Sequence, residues 1–248
     1  MPEHRVGTQA EWKTEREELI KKEKELTHRG DELTKERQAL PWVEVDKDYE
    51  FETTDGTKSL ADLFDGRSQL MIYHFMFGPA YDAGCTVCSS IADNINANAP
   101  HLINGGDVTV LLASRAPLDR LQEYKERMGW DNLDWVSTVG DDFNRDLGFL
   151  HTEEELKPFL ESGEIPVTVE KMAELSGTDP KGYVTEGPGL SVYALSDGTV
   201  YRTYVTTARG LEGPAMGYYG LLDRTPKGRQ EGGDEPIRIR RHDEYDAA

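Results

Sequence analysis

Apolar residues change their spacing along this chain, and each change marks a different kind of element. Residues 9 to 40 are charge-dense and free of proline until Pro41, and within them Trp12, Leu19, Leu26, Leu33 and Leu40 recur every seven residues. That spacing predicts a helix with one narrow apolar stripe. The companion position of a coiled-coil seam falls on Arg16, Glu23, Gly30 and Arg37, so the stripe is not a self-sufficient seam. The arm is therefore expected to lie on its own domain or on a second subunit, which would make a homodimer through the N-terminal helix. Gly30 followed by Asp31 is a place for it to break, as a C-terminal glycine followed by an N-cap.

From Pro41 the period shortens. "YEFETTDGTKSLADLF" reads as a strand, an Asp55-Gly56 turn and a short helix, and residues 70–77 form an almost unbroken apolar run. A strand apolar on both faces belongs inside a sheet covered on both sides. Val87, Ile91 and Ile95, four apart, give the buried stripe of a helix running toward Pro100. "DVTVLLAS" at 107–114 is a second buried strand, and Pro117 opens a helix with Leu118, Leu121 and Met128 on one side, ending at Gly129. A strand at 135–139 and a helical turn at 142–147 follow. Residues 151–187, rich in glutamate and lysine with scattered Pro and Gly, break the rhythm and read as a surface insertion at the domain edge. "PGLSVYALSDGTVYRTYVTT" is a hairpin turning at Asp197-Gly198. A helix through Met216, Tyr219 and Leu222 closes the domain. Beyond Thr225 no periodicity remains. The expected organisation is a helical arm at 1–40, a domain at 41–226 that contains the insertion, and a mobile tail at 227–248.

Strand, helix, strand, helix, strand implies a parallel sheet with right-handed crossovers. With an antiparallel hairpin and a last helix after it, this is an α/β, thioredoxin-like layout with an N-terminal helical extension and an insertion before the final hairpin. The 248 residues, 37% hydrophobic and 9% aromatic, supply a core for such a domain. No apolar run approaches the roughly 20 residues that span a bilayer, and the first residues lack the apolar stretch of a signal peptide, so the expected compartment is the cytoplasm. Aspartate and glutamate number 47 against 28 lysines and arginines, a net charge of -19. This excess argues against nucleic-acid and anionic-membrane partners and would suit a high-salt cytoplasm.

Against that background the only two cysteines, Cys85 and Cys88, stand three apart. Random placement would give this spacing in about one arrangement in a hundred. Three explanations are open: a redox dithiol, half of a metal site, or a buried structural pair. In a reducing cytoplasm the first two are favoured. The loop after the central strand delivers Cys85 to the first turn of a helix, where unpaired N–H groups favour a thiolate. Cys85 is then the nucleophile and Cys88, one turn in, the resolving thiol. No metal ligand set and no cofactor is assigned, because His4, His28, His74, His101, His151 and His242 show no ligand spacing; a zinc or copper thiol module shared between subunits is the alternative. His74 is a candidate ligand or proton carrier, set against hydrogen-bonded core. Arg115 and Arg209 are candidates to steady a thiolate or an anionic substrate, set against solvated loop arginines.

The segments "LPWVEVDKDYEF", "YHFMFGPAYDAGCTVCS", "SRAPLDRL", "MGW", "GLSVY" and "YVTTARGLE" resemble the DUF899 family over residues 11 to 229. The resemblance implies a thioredoxin-like fold and a dithiol-disulfide oxidoreductase acting on a protein or small-molecule disulfide or thiol, with an unidentified electron donor. In folds of that kind a cis-proline before the third central strand lies beside the dithiol, which implies that role for Pro188, with Gly84 also lining the substrate. Two departures matter. A peroxiredoxin-like Pro-x-x-x-Thr-x-x-Cys is absent, which weakens a peroxide-reductase reading. So is Trp-Cys-Gly-Pro-Cys, since Gly84 and the pair Thr86-Val87 replace the neighbours of the cysteines.

Overall fold

The computed structural model describes residues 4–162, 165–207, 210–211, 217–229, 231 and 237–245. The chain forms two compact units, Met1–Trp42 and Val43–Ala248. The first is one helix, α1 (Gln9–Gln38), begun by a capping box in which Thr8 accepts from the Glu11 N–H and Glu11 accepts from the Thr8 N–H. It does not break at Gly30. One interior glycine costs a helix about 1 kcal/mol, less than ending it there, and the residues around Gly30 are good helix formers; Thr34 also donates to the Gly30 carbonyl at 2.9 Å. No residue of α1 is buried.

The second unit is built on one eight-stranded sheet, β1 (Val43–Glu44), β2 (Glu50–Thr53), β3 (Gly56–Ser59), β4 (Gln69–His74), β5 (Val108–Ser114), β6 (Asp134–Thr138), β7 (Gly189–Ser196) and β8 (Thr199–Thr207), in the order β1-β8-β7-β4-β5-β6-β2-β3. β4, β5 and β6 are parallel, while β7 pairs antiparallel with β4 and β8 with β7. The β7–β8 turn works because Asp197 and Gly198 both take positive φ, 51° and 81°. A parallel strand-helix-strand unit with an antiparallel hairpin docked on its first strand is the α/β, thioredoxin-like arrangement expected from the sequence, extended at one edge by β6 and the β2–β3 hairpin.

Period-two alternation sends β4 side chains to two separate cores. Tyr73, followed by Phe75 and Phe77 beyond the strand end, packs with α2 (Thr86–Gly105) and α3 (Leu118–Arg127) through Ile91, Ile95 and Leu121, whereas Leu70 and Ile72 pack on the other face with Phe51, Phe64 and Phe143. α2 runs through Pro100 to Gly105 rather than stopping short of it. Proline cannot donate to the carbonyl four residues back. Asn132 supplies the missing donor, its Nδ2 reaching the Asn96 carbonyl at 3.3 Å.

Two expectations need correction. The stretch 151–187 is not an edge decoration: α5 (Glu153–Leu160), α6 (Val167–Leu175) and α7 (Pro180–Val184) follow the helical turn α4 (Asp142–Asp146), and α6 and α7 lie on the loop that carries the cysteines. The Asp82 and Ala83 N–H groups donate to the Ser176 carbonyl. The tail at 227–248 is not wholly mobile either, because Ile239 and Arg241 are 1% and 3% exposed. A buried guanidinium fixed by several acceptors orders the chain around it. Of the closing helix, Gly217–Leu222 is described and buries Tyr219; Met216 lies outside the described residues.

Candidate active site

The loop from β4 to α2 doubles back on itself. The Phe75 N–H continues the ladder to the Ala113 carbonyl, Ala116 donates to Phe77, and the Cys85 N–H returns to the Met76 carbonyl at 3.1 Å. Cys85 is thereby set as the N-cap of α2, with extended ψ of 132°, and its carbonyl accepts from both the N–H and the hydroxyl of Ser89. Both sulfurs belong to free thiols, each 1% exposed.

Burial alone would push a thiol pKa up. At Cys85 burial does oppose ionisation, but the Cys88 thiol, the Tyr183 hydroxyl and the N–H groups of Cys88 and Val87 outweigh it and bring the group down to about 7. Cys88 moves the other way, well above the ordinary value, through burial first and the adjacent Cys85 second. Tyr183 of α7 stands 3.4 Å from Cys85 Sγ. Its own ionisation is driven upward by burial and by the two sulfurs, so it stays a phenol and donates to the thiolate. Tyr81 stacks on Tyr183 at 5.8 Å and donates to its carbonyl at 2.6 Å, which fixes the ring. Beneath Cys88 the Tyr73 hydroxyl is buried without a hydrogen bond of adequate geometry; burial and then Cys88 raise its pKa.

Arg241 braces the far side. Its guanidinium donates to the Gly84 carbonyl at 2.6 Å, the Leu175 carbonyl at 2.8 Å and the Tyr124 hydroxyl at 2.6 Å, and pairs with Glu244 at 2.8 Å. The Tyr124 hydroxyl in turn meets Ser89 Oγ at 3.0 Å. One buried cation therefore ties the residue before Cys85, the end of α6 and the first turn of α2.

The residues singled out in the sequence separate accordingly. Cys85 and Cys88 come together. Gly84 is packed inward rather than open to a substrate, since a Cβ there would lie 2.6 Å from the Phe75 ring. Pro188 is not cis: among the described residues no peptide bond is. Hydrogen bonds hold its surroundings extended, Gly187 N–H to Phe149 and Thr207 hydroxyl to the Pro188 carbonyl, and the group that reaches Cys85 from this stretch is Tyr183. His74 projects to the opposite core, hydrogen-bonded to Asn144 at 3.1 Å and Ser191 at 2.7 Å, so it meets neither sulfur. Arg115 is engaged by Asp141 and the buried Glu186, each at 2.6 Å, and Glu186 packs against Gly78, so the pair clamps the insertion to the cysteine loop. Burial raises the Glu186 pKa against the pull of Arg115. Arg209 lies outside the described residues. Among the described residues no group of three or more His, Cys, Asp or Glu side chains could hold a metal ion, and no helix is long and apolar enough to cross a membrane.

Sequence reasoning missed Tyr183 and Arg241. Asp179-Pro180, an N-cap followed by proline at the first helical position, signalled the helix that carries Tyr183. In the tail, read above as aperiodic, the short alternation Ile237, Ile239, Arg241 is the one local trace of the ordered strip.

Among solved structures the chain is similar to a cysteine mutant of peroxiredoxin Q from Xanthomonas campestris (TM-score 0.43, 12% identity, covering 75% of this chain and 98% of that one). It is also similar to a putative electron transfer protein from Aquifex aeolicus VF5 (TM-score 0.37, 13% identity, 67% and 83%). A third is BsSco, a member of the Sco family of cytochrome c oxidase assembly proteins (TM-score 0.36, 15% identity, 67% and 84%). No curated protein matches. The family model described as "Bacterial protein of unknown function (DUF899)" matches residues 1–245, and the chain belongs to that family.

Proposed function

We propose that the protein is a dithiol-disulfide oxidoreductase. The observation that carries this reading is geometric: two free thiols share one helix start, Cys85 as the N-cap of α2 and Cys88 within its first turn, with the Tyr183 hydroxyl 3.4 Å from Cys85 Sγ; the downward displacement of Cys85 and the upward one of Cys88 agree with it. In the forward direction the Cys85 thiolate attacks one sulfur of a substrate disulfide; a Cys85–substrate disulfide forms and the other half leaves as a thiolate. Cys88 then loses its proton and attacks Cys85 Sγ, closing the Cys85–Cys88 disulfide. The second substrate half departs with the electron pair and takes up the proton. Two electrons pass from dithiol to substrate, and an external thiol or dithiol restores the reduced enzyme by the reverse steps. With Cys85 1% exposed and bonded to Tyr183, the α6–α7 cover must shift before a disulfide can approach.

The test uses a small aromatic disulfide and mass spectrometry. Cys88→Ser is expected to stop at a mixed disulfide on Cys85, wild type to proceed to the internal disulfide, and Cys85→Ser to do neither. Wild-type protein that keeps two free thiols under the same oxidant would sink the reading, and stoichiometric metal lost in both variants would favour a thiol metal site.

A further inference from the structure

Within α1, Trp12, Leu19, Leu26 and Leu33 form one row, and they are 57%, 56%, 71% and 45% exposed. Taken as the d positions of a heptad, this row puts Arg16, Glu23, Gly30 and Arg37 at a, and Glu15, Lys22, Arg29 and Glu36 at g. Each charged a residue directly follows a g residue of opposite sign: Glu15-Arg16, Lys22-Glu23 and Glu36-Arg37. Neighbours in sequence do not face each other on a helix, so this pattern gives an isolated helix nothing. It does serve a second helix. In a parallel, in-register pair an a side chain enters a hole bordered by the preceding g residue of its partner. Arg16, Glu23 and Arg37 of each copy then meet Glu15, Lys22 and Glu36 of the other.

We propose that a second copy of this chain covers the α1 stripe, pairing with it as a parallel, in-register two-stranded coiled coil. Charge favours this direction: Arg16, Glu23 and Arg37 each face their own copy, but each of these like-charge contacts is flanked on both sides by a g residue of opposite sign. In an antiparallel pair g residues meet g residues, which would oppose Glu15 to Glu36 and Lys22 to Arg29, twice each. Gly30 gives independent support. It has nothing within 4 Å of where its Cβ would stand, so this chain supplies no steric reason for a residue that costs the helix about 1 kcal/mol. At an a position it lets two backbones approach. Among the contacts these charges make within one chain, Arg5 to Glu15 at 2.5 Å and Arg16 over the Trp12 ring at 5.5 Å are exposed and are exchanged at little cost. Leucine at d favours parallel dimers, while charges at three a positions keep the association weak.

Sedimentation of the full chain over a range of concentrations tests this. Wild type is expected to show a monomer–dimer equilibrium that Leu26→Lys abolishes. Lys22→Glu sets Glu against Glu23 twice and is expected to weaken dimerisation roughly ten-fold; adding Glu23→Lys restores it. Gly30→Cys is expected to form a disulfide between copies. Antiparallel pairing reverses the sign, since Lys22→Glu would then remove repulsion and tighten the dimer, and that result overturns the proposal. So does a protein monomeric at every concentration, or a dimer indifferent to Leu26→Lys. Cys85 alkylation at the wild-type rate shows in each variant that the body is folded.

Discussion

The two faces of β4 bury chemically sensitive side chains to almost the same degree and treat them oppositely. On one face Cys85 lies among donors: the first N–H groups of α2, a second thiol and the Tyr183 hydroxyl favour its anion in spite of desolvation. On the other, His74 has only neutral partners, Asn144 and Ser191, between the rings of Phe143 and Phe149, and desolvation holds it neutral with a pKa of about 4. Burial does not decide whether a group is reactive or inert. The number and kind of hydrogen bonds that survive burial decide it. The faces differ also in what closes them: the dithiol face is completed by segments remote in sequence, α6, α7 and residues 237–245.

The largest effect is expected from breaking that remote closure. Arg241→Met leaves the Gly84 and Leu175 carbonyls and the Tyr124 hydroxyl without their donor, at a cost of about 3 to 5 kcal/mol. Urea unfolding measures the loss, and hydrogen exchange should show the segment 237–245 released; an unchanged midpoint would mean that Arg241 does not brace the site.

Next comes the histidine face. Because the native pKa of His74 lies near 4 and an unfolded histidine titrates near 6.5, between those values the unfolded chain binds a proton that the native protein does not. Stability should therefore fall as pH drops from about 6.5 to about 4, by about 3 kcal/mol for this group, and level off below. His74→Gln, which retains a hydrogen-bonding amide, is expected to flatten the profile in that window without altering thiol reactivity. A slope that survives the substitution would assign it to other groups.

The smallest effect sharpens the dithiol side. Tyr183→Phe removes one donor from the Cys85 anion and should raise its apparent pKa by about one unit above about 7. Iodoacetamide alkylation followed against pH reads the midpoint, and at neutral pH the rate should drop several-fold. If the midpoint stays put, the Cys88 thiol and the helix N–H groups hold the thiolate without Tyr183.

Much of this was legible in the residues. The apolar run at 70–77, the Pro117 helix start and the Asp197-Gly198 turn are local signals whose physics does not depend on the rest of the chain, and the β4 to α2 connection followed from them. The placement of Cys85 and Cys88 at a helix start was legible for the same reason, since spacing and helix start are local signals. The partners of the dithiol were not. Tyr183 is 98 residues from Cys85 and Arg241 is 157 from Gly84. Local signals mark the helix that carries Tyr183 and the alternation that ends at Arg241, but nothing local says that either side chain reaches the cysteine loop.

The sequence by itself determined the strands and helices of the parallel unit, the hairpin after them and the position of two thiols at a helix start, because periodicity, turn chemistry and backbone polarity act over a few residues. Only the tertiary structure decided that His74 and Cys85 stand on opposite faces, that Pro188 is trans with Tyr183 at the sulfur, and that a stretch resembling a mobile tail holds the cysteine loop. Those outcomes depend on which remote groups share one desolvated space, where a hydrogen bond gained or lost outweighs any local preference.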